Sequence, residues 1–172
     1  FVPGEAGTCK SRLLKDFSRC QDLRGALILR GYPLSEECGD HVGYEMILQA
    51  LKQWFGIPEH ERGKSAQKKI LAQLGAHPGW EEMAPFFFHL LGLGNLPSVP
   101  GRDMDQYQVS SDLVAFFCKL AQQNLLILCF EDLQWADQSS LSFIERLAKY
   151  LGQHRERVLI CGTFRSREVE GN

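Results

Sequence analysis

Eight residues close to the N-terminus, Gly4-Glu5-Ala6-Gly7-Thr8-Cys9-Lys10-Ser11, constrain this chain more than any other segment. They follow the spacing G-x-x-x-x-G-K-[ST] at every fixed position but one, because Cys9 stands where the second glycine belongs. The spacing has a physical origin. Successive backbone N–H groups must curl round a phosphate, and the N-terminus of the helix that follows adds the positive end of its dipole. Leu13, Leu14 and Phe17 give that following helix an apolar face. The candidate nucleotide-binding residues are therefore Gly4, Glu5, Ala6, Gly7, Thr8, Cys9, Lys10, Ser11 and Arg12. Lys10 is placed to reach the β- and γ-phosphates, and the Ser11 hydroxyl to ligate Mg²⁺. Cys9 puts a Cβ where backbone should approach phosphate closely, which weakens affinity or turnover. Its thiol reads either as an inert replacement for glycine or as a redox-sensitive group at a helix N-terminus beside Lys10. Gly63-Lys64-Ser65 repeats the last three letters of the pattern, but Pro58 falls where its first glycine should be and no strand precedes it, so it reads as a solvated helix start.

A phosphate loop of this kind needs a buried strand ending in carboxylates, which hold the Mg²⁺ shell and polarise an attacking water. Residues 125–132 (LLILCFED) supply one, with Glu131 and Asp132 at its carboxyl end, where open α/β sheets bind ligands. A further apolar run at 158–161 (VLIC) leads to Gly162-Thr163-Phe164-Arg165, and Arg165 there can bring a charge near the γ-phosphate or be an ordinary surface arginine. Residues 26–30 (ALILR) are a third short apolar run. Between these runs lie stripes at helical spacing: Val42, Met46, Ile47, Ala50, Leu51 and Trp54; Met83, Phe86, Phe87, Leu90 and Leu91; Val109, Leu113, Phe116, Phe117 and Leu120; and Leu141, Ile144, Leu147, Ala148 and Leu151. All four stripes, and the run Phe86-Phe87-Phe88, read as core-facing packing. Strands alternating with helices predict an α/β fold with a doubly wound parallel sheet, the P-loop NTPase arrangement. Residues 33–105 read as a mostly helical insertion of three helices, closed by the Gly/Pro loop at 92–102 (GLGNLPSVPGR).

Charge and composition remove other classes. Lys+Arg 19 against Asp+Glu 21 leaves no basic excess, so direct nucleic-acid binding is not expected. No apolar run approaches the ~20 residues that span a bilayer. Of the six cysteines, Cys118, Cys129 and Cys161 sit in apolar surroundings, and Cys9, Cys20 and Cys38 join them in forming no CxxC pair. That usage fits reduced thiols in a cytoplasmic protein, with no zinc-ligand spacing among the scattered histidines.

Three blocks, GEAGTCKSRLL, LLILCFEDLQWADQSSLSFIERLA and VLICGTFRSREV, together resemble the AAA-type, STAND-like "predicted ATPase" module of multidomain signalling proteins. Such modules occur in serine/threonine-kinase and histidine-kinase fusions, class III nucleotide cyclases and LuxR-type transcription regulators. The most specific part is Glu131-Asp132-Leu133-Gln134-Trp135-Ala136-Asp137 followed by Ser139, Ser140 and Leu141. The resemblance implies that Gly4 to Ser11 form the Walker A loop, that Glu131 with Ser11 serves the Mg²⁺ ion, and that Asp132 polarises water. An offset of one residue between the two acids is open, since this family more often has two aspartates there. Arg165, with Thr163, takes the sensor position on the following strand. Asp137 is expected to cap the helix beginning near Ser139, with Trp135 packed beneath it. The family also carries a strand before the loop and a lid after the sensor strand. Here only Phe1, Val2 and Pro3 precede Gly4, so residues 1–172 are expected to be a partial P-loop ATPase domain of a larger protein. The implied function is an ATP- and Mg²⁺-binding regulatory module whose nucleotide state acts as a switch on the other domains of its polypeptide (kinase, cyclase or response domains), with slow or no hydrolysis. The alternative is a scaffold that keeps the fold without binding nucleotide. A small-molecule P-loop kinase lacks an identifiable acceptor pocket.

Overall fold

Apolar residues without a break from Leu126 to Phe130 demand burial on both faces, and the structure, a computed structural model, puts this strand inside a parallel sheet. Residues 1–5, 8–19, 25–33, 43–93 and 105–165 are described. In chain order these form β1 (Val2–Pro3), α1 (Lys10–Phe17), β2 (Leu27–Gly31), α2 (Glu45–Phe55), α3 (Gly63–Gly75), α4 (Ala84–Leu90), α5 (Gln106–Ala121), β3 (Leu126–Phe130), α6 (Gln138–Gln153) and β4 (Val158–Phe164). Short 3-10 turns at Glu81–Met83 and Leu133–Trp135 precede α4 and α6. The four strands are parallel and lie in the order β1-β4-β3-β2. The chain is therefore α/β, as the alternation of runs and stripes predicts.

β4 runs three residues past the apolar stretch that announces it. Gly162 and Thr163 interrupt the apolar pattern, but Thr163 and Phe164 pair in parallel with Val2 and Pro3. The strand leading into the loop is thus present as two residues beside β4. This order puts β4 between the loop strand and the acid-bearing β3, so the C-terminal ends of β1, β4 and β3 open on one side of the sheet.

Three helices, α2 to α4, fill the described part of the region read as a helical insertion. Val42, Cys20, Cys38 and most of the Gly/Pro loop lie outside the described residues. The insertion joins the framework through rings: Trp54 and Phe87, which each pack edge-on against Phe55, also pack edge-on against Phe116 of α5, and within the framework Phe117 packs against Phe143 of α6. Phe87, Phe116, Phe117 and Phe143 are fully buried, so the aromatic stripes are core, as their spacing implies.

At the sheet's β2 edge, alternate N–H groups face away from β3. Those of Arg30 and Tyr32 donate to the side-chain oxygens of Gln53 (2.8 Å) and Gln49 (3.0 Å), two glutamines one turn apart on α2. Side-chain amides thus take the place of a further strand. The close approach needs Gly31, where a Cβ would lie 2.3 Å from the Met46 carbonyl oxygen.

Candidate functional site

The loop after β1 is held by its own side chains. Thr8 donates to the Glu5 carbonyl oxygen from both its N–H (3.3 Å) and its hydroxyl (2.8 Å), closing a tight turn. Lys10 then folds back across it. Its Nζ donates to the carbonyl oxygens of Gly4 (2.7 Å) and Glu5 (2.8 Å) and lies 3.4 Å from Thr8 Oγ1. Gly4 makes room for this, since a Cβ there would sit 2.7 Å from Thr8 Oγ1. Ala6 and Gly7 lie outside the described residues.

Cys9 is the residue before the first turn of α1, with φ 57° and ψ 26°. This left-handed conformation costs an L-residue about 1–2 kcal/mol, which is why the pattern asks for glycine here. The cysteine keeps the backbone path that glycine would take, and the Leu13 N–H still donates to the Cys9 carbonyl oxygen at 2.9 Å.

At the end of β3 the two acids part. The Glu131 N–H extends the ladder to the Gly31 carbonyl oxygen (2.9 Å), and its carboxylate lies 3.7 Å from Arg30 Nη1, while Arg30 Nη2 also bonds the Ser18 hydroxyl. Asp132 adopts φ 52° and ψ 49°, and this left-handed turn leaves the residue lining a cleft with the loop. Its N–H donates to the Thr163 hydroxyl at 3.1 Å. Thr163, at 1% exposure, therefore anchors the acidic turn from inside the sheet.

Asp132, Arg165 and the loop residues Thr8, Cys9, Lys10, Ser11 and Arg12 line one cleft of about 320 Å³. These residues come from the carboxyl ends of three adjacent strands. Glu131 and Thr163 are next to the cleft but do not line it. Sequence reasoning missed Gln134, whose side chain spans Asp132 and the residue after β4: its Nε2 donates to Asp132 Oδ1 (3.3 Å), and its Oε1 accepts from the Arg165 N–H (3.1 Å). The only signal for it was its place inside the Glu131 to Asp137 block.

Asp137 caps α6 as expected, accepting from the Ser140 N–H (2.9 Å) and hydroxyl (2.6 Å). It also accepts from the N–H groups of Tyr44 (2.9 Å) and Glu45 (3.0 Å), which open α2. One carboxylate thus closes two helices far apart in sequence. Trp135 corrects its expectation: it is 61% exposed, because the 3-10 turn after Asp132 sends Leu133 inward against the core and the indole outward.

A parallel sheet whose strand ends gather a phosphate-type loop, a carboxylate and an arginine defines a P-loop NTPase fold. No curated protein and no solved structure matches the chain. The family model of the AAA ATPase domain does match it, over residues 1–161, and the chain belongs to that family. Among the described residues no helix is long and apolar enough to cross a membrane.

Proposed function

We propose that this chain is the ATP-binding part of a cytoplasmic signal-transduction protein, in which nucleotide state biases the arrangement of neighbouring domains and turnover is slow or absent. The observation that carries this reading is the cleft itself, where an ammonium, a hydroxyl, a carboxylate and a guanidinium (Lys10, Ser11, Asp132 and Arg165) converge. That donor set suits a magnesium-bound polyphosphate. Bound Mg²⁺ would neutralise phosphate charge, and Ser11 with an acid at the end of β3 would hold it.

The chain's own residues divide the remaining work. Lys10 exchanges two loop carbonyl oxygens for phosphate oxygens, so binding reorganises the loop around its lysine. Asp132 is the acid that already faces the loop. Glu131, which motif order assigns to the Mg²⁺ shell, must leave Arg30 to reach it, and this supports the one-residue offset with Asp132 nearest the ion. Arg165 meets the terminal phosphate, and Gln134 fixes its backbone relative to Asp132. The strained Cys9 supports slow or absent hydrolysis, because the loop cannot relax round a phosphate as a glycine loop does.

One observation favours the scaffold alternative: Lys10 is already satisfied by its own loop. Isothermal titration with MgATP separates the two readings. Saturable binding that Lys10→Ala abolishes supports the nucleotide switch. Absence of binding in the natural sequence, with binding restored by Cys9→Gly, decides for the scaffold.

A further inference from the structure

The two inner strands of the sheet carry a pair of thiols that the cleft at the loop does not use. Cys129 of β3 and Cys161 of β4 are Cα partners in the parallel ladder, and both are free. Registered residues on neighbouring strands point to the same face, so these two side chains stand side by side. That face is the one on which Arg30, the partner of Cys129 on β2, meets Ser18 just after α1. Cys118 is not among them: it packs with Leu126, Leu128 and Phe130, whose side chains leave β3 on the opposite face. The two thiols differ in access. Cys129 is fully buried, whereas Cys161 is partly exposed. Burial pushes the Cys129 thiol up to about 11 and the Cys161 thiol up as well, while a hydrogen bond from Cys129 favours the Cys161 thiolate. Cys161 is therefore the sulfur that an outside reagent meets first, and Cys129 stands directly behind it.

Neighbouring strands lie about 4.8 Å apart, inside the range of Cα separations that a disulfide spans. The two Cβ atoms must close from about that distance to ~4 Å, so a bond here draws β3 and β4 together and is readily reduced again. We propose that Cys161 and Cys129 form a peroxide-responsive pair, in which hydrogen peroxide oxidises Cys161 and Cys129 then closes a disulfide between β4 and β3. In the first step the Cys161 sulfur attacks the O–O bond. It gives up two electrons and gains a hydroxyl as sulfenic acid, and the other peroxide oxygen leaves as water with the thiol proton. In the second step the Cys129 sulfur displaces that hydroxyl, which takes the Cys129 proton and leaves as a second water. The raised thiols make the first step slow, so the pair answers sustained oxidant rather than a brief pulse. The bond falls between the strands whose ends carry Thr163 and Asp132, just before the hydrogen bond that joins those two residues. The inference is independent of nucleotide binding.

The test exposes the natural chain to excess hydrogen peroxide, blocks the remaining thiols with iodoacetamide and maps disulfides by mass spectrometry of a tryptic digest. Cys129 and Cys161 fall in separate tryptic peptides, 120–146 and 158–165. A linked species of these two peptides is expected, lighter by two hydrogens than their sum and lost on addition of dithiothreitol. In urea all six cysteines compete and those closest in sequence pair first, so the yield of this species should fall about tenfold. Dimedone, which traps sulfenic acids, reads the order of the steps. It should label Cys161 in Cys129→Ala about tenfold more than it labels Cys129 in Cys161→Ala. The map of the natural chain decides the matter if either variant fails to fold. Absence of the linked species, or an equal yield in the folded chain and in urea, overturns the inference, and so does equal labelling of the two cysteines.

Discussion

Replacing Asp137 by alanine tests how this structure is assembled. Its Oδ1 accepts from the N–H groups of Tyr44 and Ser140, both at 2.9 Å, while Oδ2 accepts from the Glu45 N–H at 3.0 Å and the Ser140 hydroxyl at 2.6 Å. Removing the cap of one helix costs about 1 kcal/mol, and here two helix starts lose their acceptor together. Each buried N–H left unpartnered adds part of a penalty of about 1–3 kcal/mol, reduced because water reaches this half-buried position. The sum is about 3–4 kcal/mol for Asp137→Ala, or a fall in Tm of about 6–16 °C in a chain of this length. Asp137→Asn keeps one acceptor but turns an amide donor toward Glu45 and Ser140, and should lose about half as much.

The same site has a pH signature. Burial pushes the Asp137 carboxyl up, but the hydrogen bonds from the Ser140 hydroxyl and from the Ser140, Tyr44 and Glu45 N–H groups outweigh it and hold the group below the ordinary aspartate range. A carboxyl whose folded pKa lies below its unfolded value contributes fully above the latter, about 3.9, and loses that contribution as pH falls through the folded value. The gap between the natural chain and Asp137→Ala should therefore be widest at neutral pH and shrink below about pH 4. Urea unfolding followed by circular dichroism at neutral and acid pH measures both. A neutral-pH difference under about 0.5 kcal/mol, or one that does not shrink in acid, refutes the two-helix clasp.

Cys9→Gly should stabilise the chain by about 0.5–1 kcal/mol in urea, since relief of the left-handed conformation exceeds glycine's added unfolded-state freedom. It should also tighten MgATP binding in calorimetry. Gly31→Ala should cost about 1–3 kcal/mol, because the new Cβ meets backbone, the Met46 carbonyl, rather than a movable side chain. Hydrogen exchange should then show earlier opening of α2 than of β3. Phe116→Ala removes the ring shared by Trp54, Trp80, Phe87 and Phe117, with an expected loss of about 3–5 kcal/mol by chemical denaturation.

The loop and the end of β3 were legible because each is written in contiguous residues. A glycine-rich stretch ahead of an apolar helix face, or six apolar residues followed by two acids, carries its geometry in its own spacing. The pairing of Glu131 with Arg30 was not, because it depends on strand register: Arg30 lies opposite Cys129, which puts Glu131 two residues on along the same face. The exposure of Trp135 was hidden for a related reason. Aromatic size argues for burial, but the left-handed turn at Asp132 decides which side of the chain faces the core, and an aspartate in a sequence does not announce its φ. Gln134 and Gln49 show the same limit for amides, whose partners are backbone groups distant in sequence.

The two adjacent acids after β3 act on different neighbours because Glu131 still follows the strand ladder while the left-handed turn at Asp132 leaves it. Glu131 goes with the β2 side, where Arg30 and Ser18 tie the strand edge to the end of α1. Asp132 goes with the loop, where Thr163 and Gln134 hold its backbone and its carboxylate. A change at Glu131 should therefore register first at the β2 edge and in α1, and a change at Asp132 in the loop cleft. Gln134 sharpens the distinction, because its amide links the Asp132 carboxylate to the Arg165 backbone just beyond β4.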